Sequence, residues 1–158
     1  MKTKMSIVVV AVFLMTMVVS SVAYCASSNF DVTATIISPV TISNTQALSF
    51  GEIVADLDNE GTVVIDTAGV RTSNIVAAAG GTVSQATFDL GGESGHSYSI
   101  YLPGVVTIKD NSGENSMIVD QFTSDKGATS IPGTLNVGAT LNIKAGQATG
   151  SYTGTFSV

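Results

Sequence analysis

The amino-acid sequence predicts an all-β protein, a single β-sandwich domain that follows an N-terminal appendage. Apolar residues recur with a period of two along most of the chain, and glycine-containing turns separate the short segments that show this period. The composition, with 44% hydrophobic and 11% charged residues, is typical of one folded domain. We therefore expect a signal peptide at 1–25, an extended segment at 26–37 and the sandwich domain at 38–158.

The first 25 residues have the pattern of a secretory signal peptide. Lys2 and Lys4 provide a positive start, residues 7–19 form an almost uninterrupted apolar run, and residues 20–26 are rich in small side chains. The apolar run is shorter than the roughly 20 residues that a membrane-spanning helix needs. We expect the protein to be exported and to be secreted or to lie at the cell surface.

Two cleavage sites fit this signal, one after Ala23 and one after Cys25, because both are preceded by suitably spaced small residues. Lipidation of Cys25 is the alternative, but Tyr24 occupies the position that is normally small in a lipidation motif. Cys25 is the only cysteine, so the exported domain contains no intramolecular disulfide and depends on its core for stability.

The chain after residue 25 is acidic. It carries four basic side chains against twelve acidic ones, a net charge of -8. Such a charge repels the phosphate backbone of DNA or RNA, because there are few cations to replace its counterions. The sequence therefore predicts no nucleic-acid partner.

The strands are expected wherever the period of two holds. Alternation is clearest at residues 30–36, 86–90 and 98–102, as in strands with one buried face. The other expected strands are 40–50, 62–66, 105–109, 117–122, 135–137, 141–143 and 152–158, with a short helix-compatible stretch at 75–79. This register predicts a core that includes Phe50, Phe88, Ile100, Leu141 and Phe156.

Residues suited to catalysis or metal binding are scarce. His96 is the only histidine and lies in a turn, and no nucleophile-elbow motif accompanies it. Asp56, Asp58 and Glu60 match the opening of a calcium loop, but Thr67 stands where a bidentate glutamate is required. A solvated acidic turn is the favoured interpretation, and calcium binding at these three acids stays open. We expect no enzyme activity and no cofactor.

Seven segments resemble the motifs of a known family. They are LSFGEI (48–53), GTVVID (61–66), GVRT (69–72), ATF (86–88), YSI (98–100), VGATL (137–141) and GQATGSYTGTF (146–156). Together they are similar to a family of secreted bacterial domains of unknown function, number 4402, whose layout is similar to spore coat protein U and archaic chaperone-usher pilins. The disulfide that is common in those two groups is missing in this chain.

The resemblance implies an immunoglobulin-like, pilin-like sandwich that polymerises outside the cell. In such a polymer an extended segment of one subunit completes the open sandwich of the next. The candidate donor residues are Phe30, Val32, Ala34 and Ile36, which alternate with polar residues, and Pro39 separates them from the next strand. The same pattern also suits the first strand of a self-contained sandwich, and alternation alone does not decide between the two roles.

The function expected on this basis is that of a secreted structural subunit of a fimbria-like or coat-like surface polymer. Its expected partners are other copies of itself or related subunits, with a periplasmic chaperone and an outer-membrane usher during assembly. The alternative is a monomeric secreted binding module that recognises a glycan or a surface protein through its loops.

Overall fold

The computed structural model describes residues 25–74, 80–95, 98–127 and 132–158. The chain divides into two units, Met1–Thr35 and Ile36–Val158. In the first unit, residues 25–35 have neither helix nor strand and are exposed, and Cys25 is a free, exposed thiol. The rest of the predicted signal peptide lies outside the described residues. Within the part of the chain that the structure describes, no helix has the length and apolar character needed to cross a membrane.

The described residues of the second unit contain ten strands and no helix, so the all-β prediction is confirmed. The strands are β1 (Thr41–Gln46), β2 (Ser49–Phe50), β3 (Gly61–Ile65), β4 (Arg71–Ser73), β5 (Val83–Ser84), β6 (Ala86–Gly91), β7 (Val105–Asp110), β8 (Ser116–Ser124), β9 (Gly133–Ile143) and β10 (Tyr152–Thr153).

Eight of these strands form one curled antiparallel sheet in the order β1-β6-β9-β8-β7-β10, with β3 beside β9 and β4 beside β3. β2 and β5 pair separately. The eleven residues of β9 organise the sheet, because its first half pairs with β6 and its second half pairs with β3. β8 follows the other side of β9 along both halves. Curling of this kind brings side chains from distant parts of one sheet to a common interior.

The change of partner along β9 occurs at Gly138, which is buried. A Cβ atom at this position would overlap the carbonyl oxygen of Ile65 and would lie 2.8 Å from the carbonyl carbon of Asp66. Only glycine permits this approach of two backbones. On the opposite side of β9, the pairing of β8 has an irregularity between Asp120 and Thr123, and Thr123 pairs with Gly138 at the same level.

The buried apolar side chains form two clusters. The first cluster contains Val63, Val119, Ala139, Leu141 and Ile143. The second contains Ala86, Phe88, Leu90, Leu135 and Val137. Both clusters draw on β9, whose odd-numbered residues from Leu135 to Ile143 all face the interior. Of the five predicted core residues, Leu141 and Phe88 are buried, while Phe50, Ile100 and Phe156 are partly buried against the clusters.

Most strands form where the period of two predicts them, with several differences. No strand forms at 30–36, the strand expected at 152–158 is limited to the two residues of β10, and β4 and β5 form where none was expected. The expected strand at 40–50 is two short strands, β1 and β2, and the two expected at 135–137 and 141–143 are one, β9. The strand expected at 98–102 is absent, although Ile100 and Leu102 pack against the second cluster. Pro103 follows directly and offers no N–H for pairing. The stretch 75–79 and His96 lie outside the described residues.

Candidate functional site

An open cleft of 1140 Å³ lies over the first core cluster, entirely within the second unit. Its floor is the inner face of β7, β8 and β9, with Val106, Ile108, Met117, Val119, Leu141 and Ile143. One wall is formed by residues 47–55, and the other by residues 147–156. Among the described residues that line the cleft, Glu52 is the only charged one. The cleft is therefore a trough with an apolar floor and two polypeptide walls that carry polar side chains.

Arg71 of β4 holds the first wall in place. Its guanidinium Nη1 donates hydrogen bonds to the carbonyl oxygens of Phe50, at 3.0 Å, and Glu52, at 3.3 Å. Gly51 lies between these carbonyls with a φ of 74°, and a Cβ there would lie 2.7 Å from the same Nη1. The hydroxyl of Ser49 donates to the carbonyl of Thr82 at 2.6 Å. β2 forms only two residue pairs, both with β5, and so contributes little backbone pairing to this wall. The hydrogen bonds of Arg71 and Ser49 therefore fix the wall in place.

A tyrosine-centred turn builds the second wall. The Tyr152 hydroxyl donates to the carbonyl of Ala148 at 2.7 Å and accepts from the amide of Gln147 at 2.8 Å. This bond back to upstream backbone is similar to the tyrosine corner of β-sandwich proteins. Beyond β10, a Cβ on Gly154 would lie 2.8 Å from Cγ2 of Ile108, so the chain runs tightly against β7.

The second wall ends in an aromatic cluster. The ring of Phe156 packs edge-on against Phe88, with centroids 6.1 Å apart, and lies 5.1 Å from the ring of Phe122. Aromatic pairs at such distances contribute about 0.5–1.5 kcal/mol beyond the area they bury. The cluster anchors the chain end to the second core cluster and leaves the cleft beside it open.

The cleft leaves apolar side chains incompletely covered. Phe50, Ile53, Val106, Ile108 and Met117 pack against the first cluster but remain partly exposed. Protein interiors are close-packed, and their voids are seldom much larger than a water molecule. A volume of 1140 Å³ over core residues is far beyond such a packing defect. The geometry is therefore that of an open surface cleft with an apolar floor.

The candidate donor residues are exposed. The exposed fraction is 85% for Phe30, 93% for Val32 and 98% for Ile36, and Ala34 is exposed as well. Residues 25–40 are described without helix or strand. The role of these side chains as donors stays a prediction.

The acidic turn at 56–60 is organised by Asp56. Its Oδ1 accepts hydrogen bonds from the backbone N–H of Asp58 and of Asn59, both at 2.8 Å, and from the Asn59 side chain. These donors, the Asp58 N–H foremost, hold the pKa of the Asp56 carboxyl below its usual value. The carboxylate therefore serves as the acceptor of an Asx turn. Among the described residues, no three acidic, histidine or cysteine side chains are grouped as metal ligands.

Sequence reasoning missed the two devices that shape the walls, the Arg71 hydrogen bonds and the Tyr152 turn. Both residues lie in motifs that carry the family resemblance, Arg71 in GVRT (69–72) and Tyr152 in GQATGSYTGTF (146–156), so the sequence marked these positions. Those motifs gave no hint of the contacts, since Arg71 and Phe50 are 21 residues apart in the chain.

The fold and the cleft define an all-β domain with an open, apolar-floored trough along one curled sheet. Residues 40–158 match the model of the family described as "Domain of unknown function (DUF4402)". The chain belongs to this family, as the motifs indicated. Neither the search of curated proteins nor the search of solved structures found a match.

Proposed function

We propose that the protein is an exported, non-enzymatic structural subunit of a fimbria-like or coat-like surface polymer, assembled by strand complementation. In this proposal the second unit is an immunoglobulin-like sandwich that lacks one strand. The observation that carries the proposal is the cleft, a trough of 1140 Å³ with an apolar floor over the core, bounded by two walls of polypeptide chain. A β-strand with one apolar face is the occupant that such a trough suits best.

The donor segment supplies that apolar face. Phe30, Val32, Ala34 and Ile36 are spaced two residues apart, so in an extended conformation they project to one side. Asp31 lies on the opposite side and would stay in water, since a lone carboxylate is costly to bury. The seven residues from 30 to 36 span about 23 Å when extended. The same segment is exposed in the structure, as expected of a strand offered to a neighbour.

Export and assembly complete the proposal. The signal pattern at 1–25 would direct the protein across the inner membrane. An open cleft over the core exposes apolar surface, which favours aggregation until it is filled. We therefore propose a periplasmic chaperone and an outer-membrane usher as partners during transit, with other copies as the final partners.

A pair of substitutions on opposite faces of the donor tests this function. Val32→Asp places a carboxylate in the cleft, which costs several kcal/mol per contact unless the group is neutralised. Thr33→Asp places the same charge on the water-facing side and is the matched control. We expect Val32→Asp to abolish the ladder of heat-labile multimers on unboiled gels and Thr33→Asp to retain it. A peptide spanning residues 28–37 should then stabilise the Val32→Asp subunit.

The outcome that contradicts the proposal is a wild-type protein with no multimers larger than a dimer. The alternative function, that of a monomeric binding module, would then be the better explanation, and one observation favours it. The lining of the cleft carries hydroxyl groups, which suit hydrogen bonding to a glycan or peptide; they belong to Ser49, Thr82, Thr149, Ser151 and Thr155. Binding of such a ligand by the monomer would separate the two functions.

A further inference from the structure

Beyond the filling of the cleft, we propose a second self-association surface: β1 of one copy pairs antiparallel with β1 of another copy about a two-fold axis. β1 is an outer strand of the large sheet and pairs only with β6 among the described strands. All six of its residues are exposed. Its sequence, TISNTQ, has no proline and no charge, the residues that usually protect an open strand edge.

The other outer strands of this sheet are less open. β10 has two residues, and the chain after it is held against β7 at Gly154. β4 has three residues and starts at Arg71, whose side chain is committed to the first wall. β1 is thus the longest outer strand in the described part of the sheet whose free edge has no charge, no proline and no covering chain.

The side chains of β1 support an apolar contact. Ile42 lies directly opposite Leu90 on β6, so the two share the face that points to the core. Leu90 is 8% exposed, but Ile42 is 45% exposed because no described strand lies beyond it. Val40, two residues earlier, is 47% exposed. Pairing of two β1 strands with Ser43 opposite Ser43 would place the two Ile42 side chains on the same face as diagonal neighbours and extend the apolar face.

Electrostatics permit a second copy at this edge, which few other surfaces of so acidic a chain would. The exported chain has a net charge of -8, so most contacts between copies would oppose carboxylates. At β1 the nearest acid in the sheet is Asp89, which lies on β6 opposite Ser43. Across a β1–β1 pair, the two Asp89 residues would be three strand spacings apart, about 14 Å. That distance exceeds the Debye length of about 8 Å at physiological salt, so their repulsion is screened.

The pairing uses residues outside the donor segment, so it can be tested with strand donation disabled. In exported Val32→Asp protein we expect sedimentation velocity to report a dimer. Adding Ile42→Lys should convert this dimer to a monomer, because the lysine brings a charge into the apolar contact. Adding Val105→Lys, at an apolar position that is 62% exposed on β7, should leave the dimer intact. A monomeric Val32→Asp protein, or a dimer insensitive to Ile42→Lys, overturns the inference.

Cross-linking in protein with an intact donor segment gives a second readout if the Val32→Asp subunit does not fold. In a Cys25→Ser background, Ser43→Cys should form disulfide-linked pairs roughly tenfold more readily than Thr72→Cys on β4, because only β1 brings two copies within ~7 Å between Cα atoms. Equal yields from the two positions overturn the pairing. A Ser43→Cys protein that forms the disulfide-linked pair but no larger multimers contradicts strand donation and leaves the β1 contact standing.

Discussion

Gly138→Ala is expected to destabilise the domain where β9 changes its partner. The added methyl group would overlap the carbonyl oxygen of Ile65 and would meet the carbonyl carbon and Cα of Asp66 at 2.8 and 3.0 Å. All three atoms belong to the backbone, so no side chain can rotate away. To restore a normal contact, the end of β3 must move by about 1 Å, and overpacking of this kind costs about 1–3 kcal/mol.

Thermal and urea unfolding followed by far-UV circular dichroism would measure this loss. For a domain of this size, about 4 °C of melting temperature corresponds to each kcal/mol, so a decrease of about 4–12 °C is expected. Gly104→Ala is the matched control, because a Cβ there meets nothing within 4 Å. Its free energy of unfolding should stay within about 0.5 kcal/mol of wild type. A Gly138→Ala protein as stable as the control would refute the close approach of β3 to β9.

Two further predictions concern the second wall and the β7–β8 turn. Phe156→Ala removes a ring that contacts Phe88 and Phe122. Because Phe156 is only partly buried, we expect urea unfolding to show a loss of about 2–3 kcal/mol, below the cost for a fully buried ring. Unchanged stability would contradict the anchoring role. The Asn115 side-chain amide, 2.7 Å from Asp110 Oδ2, lowers the pKa of the Asp110 carboxyl below its usual value. The stability that the ionised Asp110 contributes is present above the usual pKa and is lost as the pH falls through the lowered pKa. The melting temperature of Asp110→Asn should therefore decrease less between about pH 7 and about pH 3 than that of wild type.

Much of the strand pattern was predictable because burial imposes a period of two on any strand with one face to the core. β3, β6, β7 and β8 lie where alternation places them. The period was misleading at 98–102, where Ile100 and Leu102 pack inward without strand pairing. Side-chain burial and backbone pairing are separate events, and alternation reports only the first.

The continuity of β9 was not predictable from local pattern. Gly138 and the small Ala139 lie between Val137 and Leu141, so the sequence predicts two strands with a break at these two residues. In the structure the glycine lies inside one strand, because the end of β3 approaches too closely for any side chain. A glycine that ends a strand and one that admits a neighbouring backbone look the same in a single sequence.

The sequence by itself determined the all-β class, the family, the acidic character and most strand positions, since these depend on composition, motifs and local periodicity. Only the tertiary structure decided that β9 joins two halves of a curled sheet, and that Arg71 and Tyr152 hold the walls of an apolar cleft. The edge of β1 likewise becomes visible only in the sheet order. These features arise from contacts between residues far apart in the chain, and no local pattern encodes which distant backbone a side chain will meet.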